Sequence, residues 1–276
     1  MNKTGGILCA FAHPDDEQFS SAGALWKCVQ RGIPVHVLCA TRGDAGEISD
    51  PALATRETLA EVRSEELRIA CAMLDFEPPH LLDYGDGKLP EVPADELRDV
   101  VVEYIRRLKP EVVLTFDANG GYGHPDHIAI HHATIAAIDV VGDDSHRPEL
   151  GPGHIPAKLY ATAYPRSLFA KMEQGLIDLG EPGFNLGAVQ TIESSEMGTS
   201  ADQLTTVVPV DDVYELRYAA MFAHRTQFGP EAMFARFPES LTRELMAIDC
   251  FRRIHPAPLR EAPMPDETDL WAGLGD

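Results

Sequence analysis

Three things are scarce in this chain, and each scarcity narrows what it does. Positive charge is the first: 23 Lys and Arg stand against 44 Asp and Glu, for a formal net charge of −21. Nucleic-acid backbones are held by basic patches, so this balance argues against a nucleic-acid partner and equally against an anionic membrane surface. The excess acid reads as a solubility-favouring surface. Long apolar runs are the second. No stretch approaches the roughly 18 residues a membrane span needs, and no basic segment leads into an apolar one near Met1 as in a secretory signal. Cysteine is the third. Cys9, Cys28, Cys39, Cys71 and Cys250 are scattered through apolar contexts without a C-x-x-C pair. An odd, dispersed set predicts reduced thiols and a cytoplasmic protein rather than a disulfide frame. Internal repeats and low-complexity runs are missing too.

What is present is alternation. Buried-strand runs at Ile7–Phe11, Val35–Ala40, Leu81–Tyr84, Val112–Phe116 and Lys158–Ala163 are separated by stretches of helical period. The clearest of those follows Pro93, with Leu97, Val100, Val101, Tyr104, Ile105 and Leu108 on one stripe and Pro110 ending it. Strand character returns at Thr205–Val210, and Asp211-Asp212 can open a further helix. Such alternation predicts an α/β fold, a Rossmann-like and mostly parallel sheet with helices on both faces. The expected layout is one domain over residues 1–255 and a weakly ordered tail over 256–276. Within the domain, 181–203 is polar, without a period, and long for an irregular segment, which predicts a pocket loop or lid.

Chemistry concentrates at two strand ends. The first strand runs into Ala12-His13-Pro14-Asp15-Asp16-Glu17, where a nucleotide-binding protein would place a glycine-rich turn. Ligands of open α/β sheets bind outside the carboxyl ends of strands. His13 and Asp16 suit a zinc ion, and Asp15 between them is free for another task. A catalytic zinc site needs about three protein ligands and one open position. The loop after the fourth strand, Gly120-Gly121-Tyr122-Gly123-His124-Pro125-Asp126-His127, offers the third from His124 or His127. Water at the open position becomes acidic; a base must take its proton and an acid must help the leaving group. No Lys-Ser/Thr follows the glycines, so this loop reads as close backbone packing beside a metal rather than a phosphate cradle.

Plainer readings stand beside each of these. His-Pro-Asp-Asp alone is a good capped turn. His127 and His131 lie four apart on a helix and could pair on a metal, but the Glu of H-E-x-x-H is missing. His131 and His132 read as helix-surface or supporting residues, and His36, His80, His146, His154 and His255 as structural or exposed. Arg63 reads as a solvated helix residue and Gly85-Asp86-Gly87 as a turn. The Arg42-Gly43-Asp44 tripeptide is a chance match to an adhesion signal.

Taken together, the two His motifs resemble the PIG-L/LmbE-like family of zinc-dependent deacetylases, which remove acetyl groups from N-acetylglucosamine-containing compounds. Arg63-Ser64-Glu65-Glu66-Leu67, Asp86-Gly87 and His224-Arg225-Thr226-Gln227 are similar to further motifs of that family, in order, over residues 5 to 230. The resemblance implies zinc held by His13, Asp16 and His127, with Fe(II) fitting such a set about as well. It implies Asp15 as general base, His124 polarising the carbonyl and protonating the leaving amine, and Asp126 orienting His124. Arg63 and Asp86 would contact the substrate, a small N-acetylated amino sugar. Asp44 and Arg217 depart from the usual Glu and Lys. Alternatives are a zinc amidase acting on another amide, such as a thiol conjugate or antibiotic-pathway intermediate, and a non-catalytic sugar-binding protein. Nothing in the sequence excludes a homo-oligomer.

Overall fold

A computed structural model describes residues 4–19, 21–184, 197–258 and 265–275. The chain runs β1 (Ile7–Phe11), α1 (Ala22–Gln30), β2 (Val35–Thr41), α2 (Leu59–Met73), β3 (His80–Tyr84), α3 (Ala94–Leu108) and β4 (Val112–Thr115). A kinked single turn α4 (Gly120–Gly123) leads to α5 (Pro125–Val140), β5 (Lys158–Ala163), α6 (Arg166–Asp178), β6 (Thr206–Pro209) and α7 (Tyr214–Met221). Short helices α8 (Met233–Arg236) and α9 (Glu239–Leu245) precede β7 (Ile248–His255).

The strands form one sheet in the order β3-β2-β1-β4-β5-β7-β6. β1 to β5 are mutually parallel, and only β7 runs against its neighbours β5 and β6. β1, β2 and β4 are buried along their whole length. Their near-continuous apolar sequences are what a sheet covered on both faces requires. α3 packs on α5, while α1 and α2 both pack on α7. The expected doubly wound architecture is therefore present. β1 lies between β2 and β4, so the chain leaves β1 toward one edge and later returns on its other side. That switch of direction opens a crevice between the carboxyl ends of β1 and β4, where both His motifs emerge.

Two elements differ from the sequence reading. β7 was not expected, because Asp249, Arg252 and Arg253 interrupt its apolar pattern. In the fold Asp249 is fully buried, paired with Arg217 at 2.8 Å and accepting the Ala24 N–H at 2.8 Å. Residues 265–275, expected in a weakly held tail, are instead packed. Leu270 and Trp271 join the main core. Glu267 accepts from Lys158 Nζ at 2.7 Å, the Tyr160 hydroxyl at 2.7 Å and the Thr206 hydroxyl at 2.9 Å, and also pairs with Arg253. Residues 259–264 lie outside the described set, as do 185–196 of the segment expected to be a lid. Arg106 orders the polar stretch after α5, donating to the carbonyls of Val141, Asp143, His146, Arg147 and Gly151.

Breaking one side of a buried ion pair leaves the other side uncompensated, at a cost of about 3–5 kcal/mol. Glu267→Ala strands Lys158, while Arg253 keeps Asp266 at 3.0 Å. Urea unfolding should show a loss of about 3 kcal/mol or more; a loss below about 1 kcal/mol would mean that the docked segment contributes little.

Candidate active site

His13 leaves the carboxyl end of β1, and its position is set by a tight turn. Asp16 folds back to accept the backbone N–H groups of Ala12 at 3.1 Å and His13 at 2.6 Å. The turn forces Asp15 to φ 118°, a conformation that non-glycine residues rarely adopt and that costs about 1–3 kcal/mol. The surroundings hold it there: the Asp15 N–H donates to Glu17 Oε2 at 3.1 Å, and Glu17 is itself fully buried, with Oε1 on His224 Nε2 at 2.8 Å.

The second motif arrives from β4. Gly120, at φ +62°, lets the chain double back against α5; a Cβ there would sit 2.8 Å from His127 Cβ. The Gly120 carbonyl then lies 3.1 Å from His127 Nδ1. This contact fixes the proton on Nδ1 and leaves Nε2 with its lone pair exposed to the site. His13 is fixed in the complementary sense. Its Nε2 lies 3.2 Å from Asp126 Oδ2 and 3.1 Å from Asp86 Oδ1, so that nitrogen carries the proton and Nδ1 presents a lone pair.

The two lone pairs face each other at 3.1 Å. Such an arrangement is repulsive unless something positive lies between the nitrogens. Asp16 completes the group, with Oδ2 3.5 Å from His13 Nδ1 and Oδ1 3.3 Å from His127 Nε2. Tetrahedral ligands about 2.1 Å from zinc stand about 3.4 Å apart, close to the separation of the two facing nitrogens and to each nitrogen's distance from its own Asp16 oxygen. His124 also comes close. One ring nitrogen from each of His13, His124 and His127 falls within 4.8 Å of the others, and His13, Asp86 and Asp126 form a second such group. The Asp86–Asp126 group meets His13 through its protonated nitrogen, which makes the two carboxylates supports for a ligand. The site's appetite for positive charge is also evident in His13 as a proton acceptor. Burial alone would lower its pKa, but hydrogen bonds to Asp126, Asp16 and Asp86 reverse this and drive it up to about 12.

Asp15 stands beside these donors with its side chain 15% exposed. Burial pushes its carboxyl up to about 6, opposed by the Arg63 guanidinium and assisted by Asp16. Arg63 donates to Asp15 Oδ2 at 3.2 Å, the Pro14 carbonyl at 2.7 Å and the Gly43 carbonyl at 3.0 Å. Gly43, at φ +66°, has no room for a side chain because the guanidinium fills that space; this is what the Arg-Gly-Asp tripeptide serves.

Several expectations need correction. The Asp126 carboxylate was expected on His124, yet it is spent on His13 and on the N–H groups of Gly87 at 2.7 Å and Leu89 at 3.1 Å. Only the Asp126 backbone N–H reaches His124, donating to Nδ1 at 3.2 Å and capping α5. Arg63 and Asp86, expected to contact the substrate, line the cavity; Arg63 donates to Asp15, and Asp86 meets His13 and accepts the Ala45 N–H. Asp44 accepts the Asp86 N–H at 3.2 Å and so shapes that turn. His131 Nδ1–H donates to the Phe116 carbonyl, 2.7 Å away, and is in neither candidate ligand group.

Sequence reasoning assigned no role to Glu66, Phe116 or Tyr122. Glu66 receives the Thr226 N–H at 2.8 Å and hydroxyl at 2.6 Å, tying the His224 motif to α2. Its spacing from Arg63 on one helix, three residues, was the available signal. Phe116 stacks on His127 with centroids 3.9 Å apart.

The chain is similar to several known proteins. A family described as PIG-L, GlcNAc-PI de-N-acetylase, matches residues 8–138. The chain is 31% identical to a 1D-myo-inositol 2-acetamido-2-deoxy-alpha-D-glucopyranoside deacetylase of Catenulispora acidiphila, covering 98% of this chain and 89% of that one. It is 32% identical to a mycothiol S-conjugate amidase of Streptomyces coelicolor, covering 98% and 97%. Among solved structures, an N,N'-diacetylchitobiose deacetylase from Pyrococcus horikoshii superposes with a TM-score of 0.66 at 19% identity, covering 92% of this chain and 87% of that one. At that identity the superposition speaks for the fold alone.

Carboxylates that orient a ligating imidazole typically contribute about 10- to 100-fold in metal affinity. Asp126→Ala should therefore weaken zinc binding, read by equilibrium dialysis, by that factor. Unchanged affinity with slowed turnover would place the carboxylate's action on His124 instead.

Proposed function

Since the chain belongs to the PIG-L family, we propose that it hydrolyses the N-acetyl amide of an N-acetylglucosamine-type small molecule, releasing acetate and a free amine. The observation that carries this reading is the pair of imidazole lone pairs facing each other, with an Asp16 oxygen beside each nitrogen and a strained carboxylate next to Asp16. His13, Asp16 and His127 would hold the ion, zinc or Fe(II) by donor type. A divalent cation bound there acidifies water and polarises the amide carbonyl.

The remaining steps belong to the side chains. Asp15 takes the proton of the attacking water as the C–O bond forms. Arg63 keeps its carboxylate aimed. His124 is held neutral, because burial and the nearby His13 and His127 push its pKa down. With Nδ1 accepting the Asp126 N–H, its proton sits on Nε2. That tautomer donates a hydrogen bond to the developing oxyanion, a contribution of about 3 kcal/mol for a well-placed donor. It is a poor acid, so Asp15 returns its proton to the departing nitrogen as the C–N bond breaks. The similarity to an S-conjugate amidase supports the same chemistry on another amide as a second reading. A purely sugar-binding role leaves the strain at Asp15 without a purpose.

Asp15→Ala should retain metal and lose at least about 100-fold in turnover, followed by amine release from N-acetylated sugars. Near-full activity would remove Asp15 as the base. Chelation should abolish activity and zinc should restore it.

The base works ionised, so activity is full above its pKa and falls as pH drops through it. The acid limb of kcat/KM should have its midpoint no higher than about 6, since a bound cation only lowers it. A limb above about 7 would contradict this assignment.

A further inference from the structure

The cavity over the candidate site has a volume of about 860 Å³, near the top of the roughly 300–1,000 Å³ range of small-molecule sites. Its two sides differ in kind. Among the described residues, the charged carboxylates and Arg63 that line it stand on the sheet side, on α2 or on the loops after β1, β3 and β4. The rest of the lining is largely apolar: Phe19, Phe169, Met172, Phe184, Phe228 and Met233, with Tyr164 and Gln227 beside them.

This Phe/Met wall is built rather than incidental. Met172 belongs to a second core cluster with Phe234, Phe237 and Leu245, and Phe184, Phe228 and Met233 pack against it. Rings connect along it: Phe169 lies 5.9 Å from Phe184, and Phe19 lies 5.8 Å from Phe228. Yet its inner face stays open, and Phe19 is 36% exposed. Sugar hydroxyls leave water only for polar partners, and the Phe and Met side chains offer none. Aromatic rings give area, and methionines adapt to varied apolar shapes.

We propose that the substrate carries an apolar substituent, alkyl or aromatic, which lies on this Phe/Met wall while the acetylated sugar occupies the metal side. This rests on the N-deacetylase reading above. The substituent is attached through the sugar's anomeric oxygen; a longer acyl chain in place of the acetyl group is the rival attachment, and two substrate series separate these.

The test uses the zinc-loaded full chain. One series is methyl, butyl and hexyl glycosides of N-acetylglucosamine; the other lengthens the N-acyl group from acetyl to butanoyl to hexanoyl. In the glycoside series, not the acyl series, kcat/KM should rise about threefold to fourfold per added methylene, the gain from moving it out of water. Met233→Gln keeps the side-chain volume and removes its apolar character. It should flatten the rise with chain length. Calorimetric binding of the same compounds is read independently of turnover, and should tighten with chain length in parallel. If the methyl glycoside is deacetylated but neither rate nor affinity responds to chain length, the apolar wall is not a substrate site and the deacetylase reading stands. If affinity tightens with chain length but no compound releases amine, the wall stands and the deacetylase reading falls. If affinity is flat, the wall proposal is overturned whether or not amine is released.

Discussion

The structure depends on one electrostatic constraint. Three carboxylates, from Asp16, Asp86 and Asp126, converge on two imidazoles at the carboxyl rim of the sheet, and Asp126 has no exposed surface. Buried charge of one sign is costly unless it is compensated. Here two of the carboxylates face the protonated side of His13 and Asp16 faces the lone-pair side. The polarity of the imidazole is thus imposed by what lies behind it, and what lies in front must be positive.

Much of the remaining chain serves to hold that geometry. The crevice exists because the strand order reverses beside β1. Arg63 pins Asp15 from α2, and Glu66, three residues on, pins the Thr226 loop. Glu17 joins the first motif to His224. Arg217 reaches the Gln18 carbonyl at 3.4 Å while paired with Asp249 of β7. Elements distant in sequence are therefore bolted to the same turn, and this is how a residue at φ 118° is kept in place. A supporting frame of this kind is what precise placement of a base demands.

Most of this was legible in the sequence, and the exceptions have a common cause. β1, β2, β4 and β5 declared themselves because a strand covered on both faces must be apolar throughout. β7 did not, since Asp249 pairs with Arg217 and Arg253 with Asp266 and Glu267, partners that no local window contains. The docked segment around Trp271 was obscured by its prolines and acids for the same reason. At the site, the strand-end positions of the two His motifs could be read from the sequence. Which imidazole the Asp126 carboxylate serves could not, because His13 is 113 residues away. The Phe/Met wall was equally hidden, its members lying between Phe19 and Met233 without any period.

The most direct test of the central claim is anomalous scattering from crystals of the metal-loaded protein at the zinc edge. One peak should lie about 2.0–2.2 Å from His13 Nδ1, an Asp16 oxygen and His127 Nε2, with Asp86 and Asp126 on the far side of the His13 ring. A peak between Asp86 and Asp126, or none near His13, would contradict the account.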